Sequence, residues 1–379
     1  MPRGSPPPPT PQDLVGALLV WFRAHARDLP WRRTRDPYAI WISEIMLQQT
    51  QVRTVIPYWE RWMRELPNLT TLAAAPEDRV LKLWEGLGYY SRARNLQRAA
   101  RNLVEHHHGR FPRTVAGWLE LPGIGRYTSG AIASIAFNEP APILDGNVIR
   151  VLTRLHALPG DPKSAPLNGR LWTLAEALVM AAAALPRDRI NTPRHSAGPC
   201  SALNQALMEL GATVCTPKAP HCEACPMATT CRARRLGRVN SFPALPKRGV
   251  VIGQRKLVAV MEQSGRFLVR QRPTEAINAG FWEFPERELS GDESAAVAAA
   301  EWLQRSPAGL RRMTTVRHSI TRYRIQLEVY RIRIATPRHP VAAGGRWVSR
   351  SELDALPLTA AHRRIARHLP NEGKGATDS

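Results

Sequence analysis

The 379-residue chain predicts two domains of different class: a mainly α N-terminal domain and a smaller α+β domain after it. Three observations carry this. From Asp13 to about Ala184, apolar residues recur three and four apart, and no convincing strand alternation is found. From Arg232 to Lys256 there are eight basic residues and no acidic ones, punctuated by Pro243, Pro246 and Gly249, as in an interdomain linker. Beyond Leu257, short β-type runs bounded by turns begin.

Composition narrows the function. A net charge of +22 and a pI of about 11.0 favour a polyanionic partner, most simply nucleic acid. Arginine far outnumbers lysine, so codon bias is an alternative source of part of the excess. Hydrophobic residues at 44% are enough for real cores and exclude a disordered chain. No apolar run approaches the roughly 18 residues that span a bilayer. The longest, Ala177–Leu185, is alanine-rich. The N-terminal MPRGSPPPPTPQ is a proline tract without the apolar segment of a signal peptide, so a cytoplasmic location is expected. All five cysteines lie between Cys200 and Cys231, which argues against a disulfide framework.

In order, residues 1–11 read as a polyproline-like tail. Leu14, Leu18, Leu19 and Phe22 make one face of a first helix. Leu29–Arg33 is a loop. Asp36-Pro37 starts a second helix, Tyr38–Thr50, with proline where its missing N–H costs little. Glu44 sits in that helix amid Ile40-Trp41-Ile42 and Ile45-Met46-Leu47. A carboxylate so placed is desolvated and its pKa raised, as a general acid requires, unless it faces solvent with Ser43 and Gln48. Gln48–Gln51 closes the helix with amides that could read bases or simply cap it. Helices follow over Val55–Glu65, Pro76–Glu85 and Arg92–His106. Gly86-Leu87-Gly88-Tyr89-Tyr90 lies between the last two, suited to close backbone approach and ring insertion, or to core packing.

Thr114–Leu121 and Tyr127–Phe137 are two helices joined by the hairpin Pro122-Gly123-Ile124-Gly125. Glycines in such a hairpin let backbone amides approach a phosphate without reading sequence. Asp145 follows in Leu144-Asp145-Gly146-Asn147. Helices continue over Val148–Leu155, Leu171–Leu185 and Ser201–Ala212, with a polar insertion at Pro186–Pro199. Cys215, Cys222, Cys225 and Cys231 then form a C-x6-C-x2-C-x5-C set. Four thiolates so close can enclose one metal centre, zinc or iron–sulfur, and spacing alone leaves both open. Cys200 stands outside the pattern as a free thiol. In the second domain, strands are expected at Leu257–Met261, Arg266–Arg270, Phe281–Phe284, Met313–Ser319, Tyr323–Ile334 and Arg346–Val348. Helices are expected at Glu293–Gln304 and Ala360–His368.

Glu44 in an apolar helix, a hairpin leading to Asp145, and four clustered cysteines together resemble the helix–hairpin–helix DNA glycosylases. Leu47-Gln48-Gln49-Thr50-Gln51-Val52, Gly86–Arg94 and Leu144–Val148 are similar to signatures of their MutY adenine glycosylase family. The resemblance is strong over residues 13–231 and weaker beyond. It implies a repair enzyme, monomeric and nucleoid-associated, that removes adenine from double-stranded DNA opposite 8-oxoguanine or guanine. By resemblance Glu44 is the general acid, and Asp145 stabilises or traps the sugar cation. Tyr127 stands beside that carboxylate, and Asn147 assists near the sugar. Arg32, Trp41 and Gln205 fall at adenine-pocket positions. Gln49, Thr50, Leu87 and Tyr89 fall where the family braces the opened duplex and its 8-oxoguanine. Gly123 and Gly125 grip phosphate. Bifunctional relatives such as endonuclease III carry lysine at the position of Tyr127, so a monofunctional enzyme is implied.

The same resemblance makes Cys215, Cys222, Cys225 and Cys231 the ligands of a [4Fe–4S] cluster in a loop over 215–231. Residues 1–12 are then a tail, 13–231 the catalytic domain, 232–254 the linker, 255–369 a Nudix-like module, and 370–379 a second tail. That module lacks the hydrolase signature, since Ala295–Glu301 is mostly alanine, and should bind nucleotides without hydrolysing them. Ile320-Thr321-Arg322 corresponds to the loop that inspects 8-oxoguanine. Thr321 keeps a hydroxyl, while Arg322 replaces histidine. Competing readings are a same-fold glycosylase for mismatched pyrimidines or damaged bases, and a non-catalytic iron–sulfur DNA-binding protein.

Overall fold

The Thr10 hydroxyl accepts a bond from the amide of Asp13, and the Asp13 carboxylate accepts one from the amide of Thr10, a reciprocal cap that starts the first helix at Pro11. The expected tail is therefore shorter than residues 1–12. The structure, a computed structural model, describes residues 10–185, 196–244, 250–273, 275–304, 306, 310–320, 322–334 and 345–370. Thr321, most of the 186–199 insertion and both terminal tails, apart from residues 10–12 and 370, lie outside the described residues.

The chain divides into two compact units. The first, Met1–Ala74 with Arg98–Lys247, is helical throughout its described residues. It holds α1 (Pro11–His25), α2 (Pro37–Leu47), α3 (Val52–Glu65) and α4 (Leu69–Ala74). The second unit contributes α5 (Glu77–Trp84), and α6 (Ser91–His106) runs across the division. The first unit continues with α7 (Val115–Leu119), α8 (Arg126–Phe137), α9 (Gly146–His156), α10 (Ala165–Ala183), α11 (Pro199–Thr213) and α12 (Arg232–Arg235).

Three of these helices are apolar almost all round, the mark of an element buried on every side. Nine consecutive residues of α2, Tyr38–Met46, are buried, as are Thr128–Ala136 of α8 and most of α11. A polar side chain on any of them is therefore removed from water. α2 ends at Leu47, earlier than expected, because Gln49 takes a left-handed conformation (φ 58°). α10 starts at Ala165, earlier than expected, with Pro166 in its first turn. The expected linker is partly structured. Residues 232–235 form α12, Ala233 and Phe242 are buried, and Arg154 of α9 donates to the carbonyls of Val239 and Phe242. Among the described residues, no helix is long and apolar enough to cross a membrane.

The second unit comprises Ala75–Gln97 and Arg248–Ser379. Its strands are β1 (Ile252–Gln263), β2 (Arg266–Gln271), β3 (Trp282–Glu283), β4 (Glu286–Leu289), β5 (Arg311–Ile320), β6 (Tyr323–Arg333) and β7 (Arg346–Val348). They form one sheet in the order β3-β2-β1-β6-β5, with β4 pairing β1 and β7 pairing β2. β1 and β6 run parallel; the other pairs are antiparallel. Strand alternation sorts the core into two faces. Val258 and Val260 face Leu353 and Ile365 of α14 (Arg350–Ala355) and α15 (Ala360–Ala366). Leu257, Ala259 and Met261 face the alanines of α13 (Ala295–Trp302).

The early segment belongs with this sheet through specific contacts. Glu85 takes two bonds from Arg363, Lys82 donates to the carbonyls of Asp354 and Leu356, and Tyr90 packs on Phe281 with centroids 3.9 Å apart.

Candidate active site

Helix periodicity decides which side chains of α2 share a face. Ile40, Ser43, Glu44 and Leu47 line one cavity of about 400 Å³ in the first unit. Trp41, expected at an adenine-pocket position, does not line this cavity. One residue advances about 100° around a helix, so Trp41 follows Ile40 onto another face. There its ring packs against Phe111 and Trp118.

Into the same cavity come Arg27 and Arg32 from the segment after α1. Gln49 and Thr50 enter from beyond α2, Tyr127 from α8, Asp145 and Asn147 from the head of α9, and Gln205, Met208 and Glu209 from α11. Eight expected site residues thus meet in one place: Arg32, Glu44, Gln49, Thr50, Tyr127, Asp145, Asn147 and Gln205. Gly123 and Gly125 are exposed in the hairpin that leads into α8. Gly123 is left-handed (φ 78°), a conformation that costs other residues, and Gly125 caps α8. Leu87 and Tyr89 belong to the second unit. Leu87 is buried, whereas Tyr89 is 53% exposed in a left-handed conformation. Arg92 ties this turn down by donating to the carbonyls of Leu87, Gly88 and Tyr89.

Glu44 is 5% exposed, which removes the alternative that it faces solvent. Its Oε2 accepts a 2.8 Å bond from the Tyr127 hydroxyl. Burial pushes its pKa up to about 7; the Tyr127 bond pulls down, the Asp145 charge pushes up, and Arg32 pulls down. Tyr127 is itself driven well above its ordinary value by burial and the nearby acids, so it stays a neutral donor. Asp145 caps α9, accepting from the Val148 amide at 2.7 Å and from Asn147 Nδ2 at 2.9 Å. Burial raises its pKa, and these two donors oppose the rise.

Close approach holds this corner. A Cβ on Gly211 would stand 2.5 Å from the Cβ of Asn147, so glycine alone lets α11 pass the head of α9. Arg150 binds the same corner to the cysteine loop. It donates to Asn147 Oδ1 (2.8 Å), to the Gly211 carbonyl (2.7 Å) and to the Cys215 carbonyl (2.7 Å).

Arg27 and Glu209 were not singled out from sequence. Glu209 is wholly inside, accepting from the Arg27 amide (3.0 Å), from Arg27 Nε (2.7 Å) and a terminal nitrogen (2.8 Å), and from Arg32 (2.9 Å). Burial would raise its pKa, but the two arginines hold it below the ordinary value. The signal was present: Leu207-Met208-Glu209-Leu210 sets an acid in an apolar helix just as α2 does.

Cys215, Cys222, Cys225 and Cys231 line a separate small cavity with Arg154 and Arg234. None of the four is in a disulfide, nor is the fully buried Cys200. Burial raises Cys222 and Cys231, and pushes Cys225 up to about 11. Such a set stays thiolate only against strong positive charge. Among the described residues, the only potential ligand atoms gathered in threes within 4.8 Å of one another are those of Glu283, Glu286 and His362. Four cysteines around one small cavity are a donor set that zinc or an iron–sulfur centre would accept.

Known proteins share both units. Residues 42–177 match the model of the HhH-GPD superfamily base excision DNA repair protein, and residues 257–368 match the NUDIX domain. The chain is 37% identical over 423 residues to the adenine DNA glycosylase of Homo sapiens, covering 95% of this chain and 74% of that protein. It is 30% identical over 413 residues to the adenine DNA glycosylase of Schizosaccharomyces pombe, covering 90% and 86%. Among solved structures, a thermostable thymine-DNA glycosylase is similar with a TM-score of 0.51 and 30% identity, over 60% of this chain and 97% of that one.

Proposed function

Because the chain belongs to the adenine DNA glycosylase family, we propose that its cavity hydrolyses the N-glycosidic bond of adenine mispaired with 8-oxoguanine or guanine. The enzyme class is that of the family: base excision repair of DNA, acting on adenine. One observation carries the proposal: two buried carboxylates, differently partnered, share a cavity of a size to take a base.

Adenine leaves the duplex stack and enters between α2 and α11. Glu44, protonated for part of the time near neutral pH, gives its proton to the base as the bond to the sugar breaks. Asp145, fixed by the Val148 amide and Asn147, stabilises the positive sugar or traps it covalently. Arg32 and Gln205 bound the base, while Gln49, Thr50, Leu87 and Tyr89 brace the opened duplex. Gly123 and Gly125 present the hairpin to a phosphate. Tyr127 donates to Glu44 and has no amine with which to form a Schiff base, so the enzyme acts without strand cleavage. Incubation with an A:8-oxoguanine duplex is expected to give breaks only after alkali; efficient cleavage without alkali would refute the monofunctional reading.

Residues 215–231 hold a [4Fe–4S] cluster through Cys215, Cys222, Cys225 and Cys231. When bound, it supplies a covalent cross-link that shapes this loop. Anaerobic protein should contain iron and inorganic sulfide; a colourless zinc protein refutes this assignment. The second unit reads 8-oxoguanine with the β5–β6 turn, where Thr321 lies outside the described residues. Ile320 and Tyr323 border a cavity of about 310 Å³ there. The protein acts as a monomer, with 13–231 catalytic, 232–254 the linker and 255–369 the reading module.

A second reading, excision of a mismatched pyrimidine, is favoured by the likeness to the thymine-DNA glycosylase. Duplexes carrying A:8-oxoguanine, A:G, T:G and thymine glycol separate the two. Release of thymine in preference to adenine would overturn the first reading.

A further inference from the structure

The cavity contains five charged side chains, three acidic (Glu44, Asp145, Glu209) and two basic (Arg27, Arg32). The two cations are spent on one acid. Glu209 takes three bonds from Arg27 and one from Arg32. Glu44 accepts from the neutral Tyr127 hydroxyl, and Asp145 from backbone amides and the Asn147 side-chain amide, with Arg150, outside the cavity lining, adding charge at a distance. Arg32 is 14% exposed and further fixed by a bond to the Arg27 carbonyl and by the ring of Phe22, 5.3 Å away.

We propose that Glu209 is a positioning residue that keeps both arginines engaged, and so prevents them from ion-pairing with the proton donor and the sugar-facing acid. A guanidinium released inside a poorly hydrated cavity pairs with the nearest carboxylate and holds it ionised. A proton donor held ionised cannot protonate a leaving base. Glu209 is thus the reason two positive charges can line the cavity without silencing Glu44. The inference rests on the reading of Glu44 as that donor.

The groups that act on Glu44 are Tyr127 from α8, Asp145 from the head of α9 and Arg32 from the segment after α1. Glu209, from α11, acts through Arg32. Loss of the Glu209 charge and release of Arg32 both favour ionised Glu44. The high-pH limb of activity must therefore move to lower pH.

The test is single-turnover adenine release from an A:8-oxoguanine duplex as a function of pH, with the full chain. Glu209→Gln should move the high-pH limb down by about one pH unit or more. Adding Arg32→Gln should return the limb towards its original position, because the stray cation is gone. Glu209→Asp, too short to reach both arginines, should give a smaller downward move. An unmoved limb in folded Glu209→Gln, or a moved limb that Arg32→Gln does not restore, overturns the proposal. If Glu209→Gln does not accumulate as folded protein, an unmoved limb in Glu209→Asp overturns it instead. Glu44→Gln separates the two readings. If that variant keeps the limb, the assignment of Glu44 is wrong; if it loses the limb while the Glu209 variants do not shift it, only the role of Glu209 is wrong.

Discussion

Each unit buries a cluster of acids, and Glu44 of the first and Glu286 of the second are treated in opposite ways. In the first unit Glu44 meets one neutral hydroxyl, and burial lifts it to about 7. In the second, burial would lift Glu286 likewise, but His362 at 3.3 Å and Lys256 at 2.6 Å hold it well below the carboxylate range. Its neighbour Glu283 is bound by Arg270 and Arg272. Depth alone therefore does not set proton affinity; the supply of counter-charge does. Glu283, Glu286 and His362 could face one metal ion, yet two guanidinium groups and an ammonium already occupy the carboxylates.

The largest expected effect is at Glu44 and Asp145. Glu44→Gln should lower single-turnover excision by about 10²- to 10⁴-fold, the usual worth of a positioned acid. Asp145→Asn should fall at least as far. Wild-type activity should decline as pH rises through about 7, since Glu44 is then ionised. Full activity of Asp145→Asn would break the assignment.

Next comes Gly211→Ala. Its new methyl must push Asn147 and so shift the cap of α9. A displacement near 1 Å can cost about 10²-fold in rate, with stability reduced by about 1–3 kcal/mol. An unchanged rate would mean that the placing of Asn147 is unimportant.

Stability gives the sharpest contrast. Glu286→Ala removes the carboxylate shared by the partly buried Lys256 and by His362 and should cost up to about 3 kcal/mol, read by calorimetry. Glu44→Gln should be neutral or stabilising at pH 8. The signs follow from linkage. Glu44 binds its proton more tightly when folded, so the wild type loses stability as pH rises between its unfolded value and about 7. Glu286 is the reverse. Its contribution is complete above the ordinary carboxylate value of 4.5 and is lost as pH falls through the depressed one. Equal losses from both substitutions at pH 8 would erase the distinction.

The smallest effect is expected from Tyr127→Phe. Removing a donor to the ionised form raises the affinity of Glu44 for its proton. The high-pH limb should move up by less than about one pH unit, with a rate change of a few-fold. A downward move would contradict the hydrogen bond.

Much of the first unit was legible because its signals are local. Apolar periodicity marks α1, α8 and α11, and an acid in an unbroken apolar helix marks Glu44. The meeting of α2, α8, α9 and α11 brings eight of the expected residues together. Trp41 packs on Phe111 and Trp118 instead of lining that cavity, because matching a position says nothing of the face it occupies. Arg27 and Glu209 were missed although Glu209 carried the same signal as Glu44, since its partners lie 177 and 182 residues away. β4 and α14, at four and six residues, are too short to show a period. That Ala75–Gln97 groups with the C-terminal sheet has no local signature at all, because contacts such as Arg363–Glu85 cross most of the chain.

The parallel pairing of β1 with β6 has a consequence for the order of events on synthesis. Ile252 pairs with Tyr323 and Glu262 with Arg333, so no part of this ladder can close until synthesis has reached β6, about 60 residues beyond the end of β1. Closing so long a loop is entropically slow. Meanwhile Leu257–Met261, the most apolar run of the sheet, waits with an unsatisfied edge. Arg255 and Lys256 before it and Glu262 after it bracket that run with charge. Such flanking charges oppose pairing with a second nascent copy, so the same residues that end as ion-pair partners in the finished sheet first serve as guards of the unfinished one.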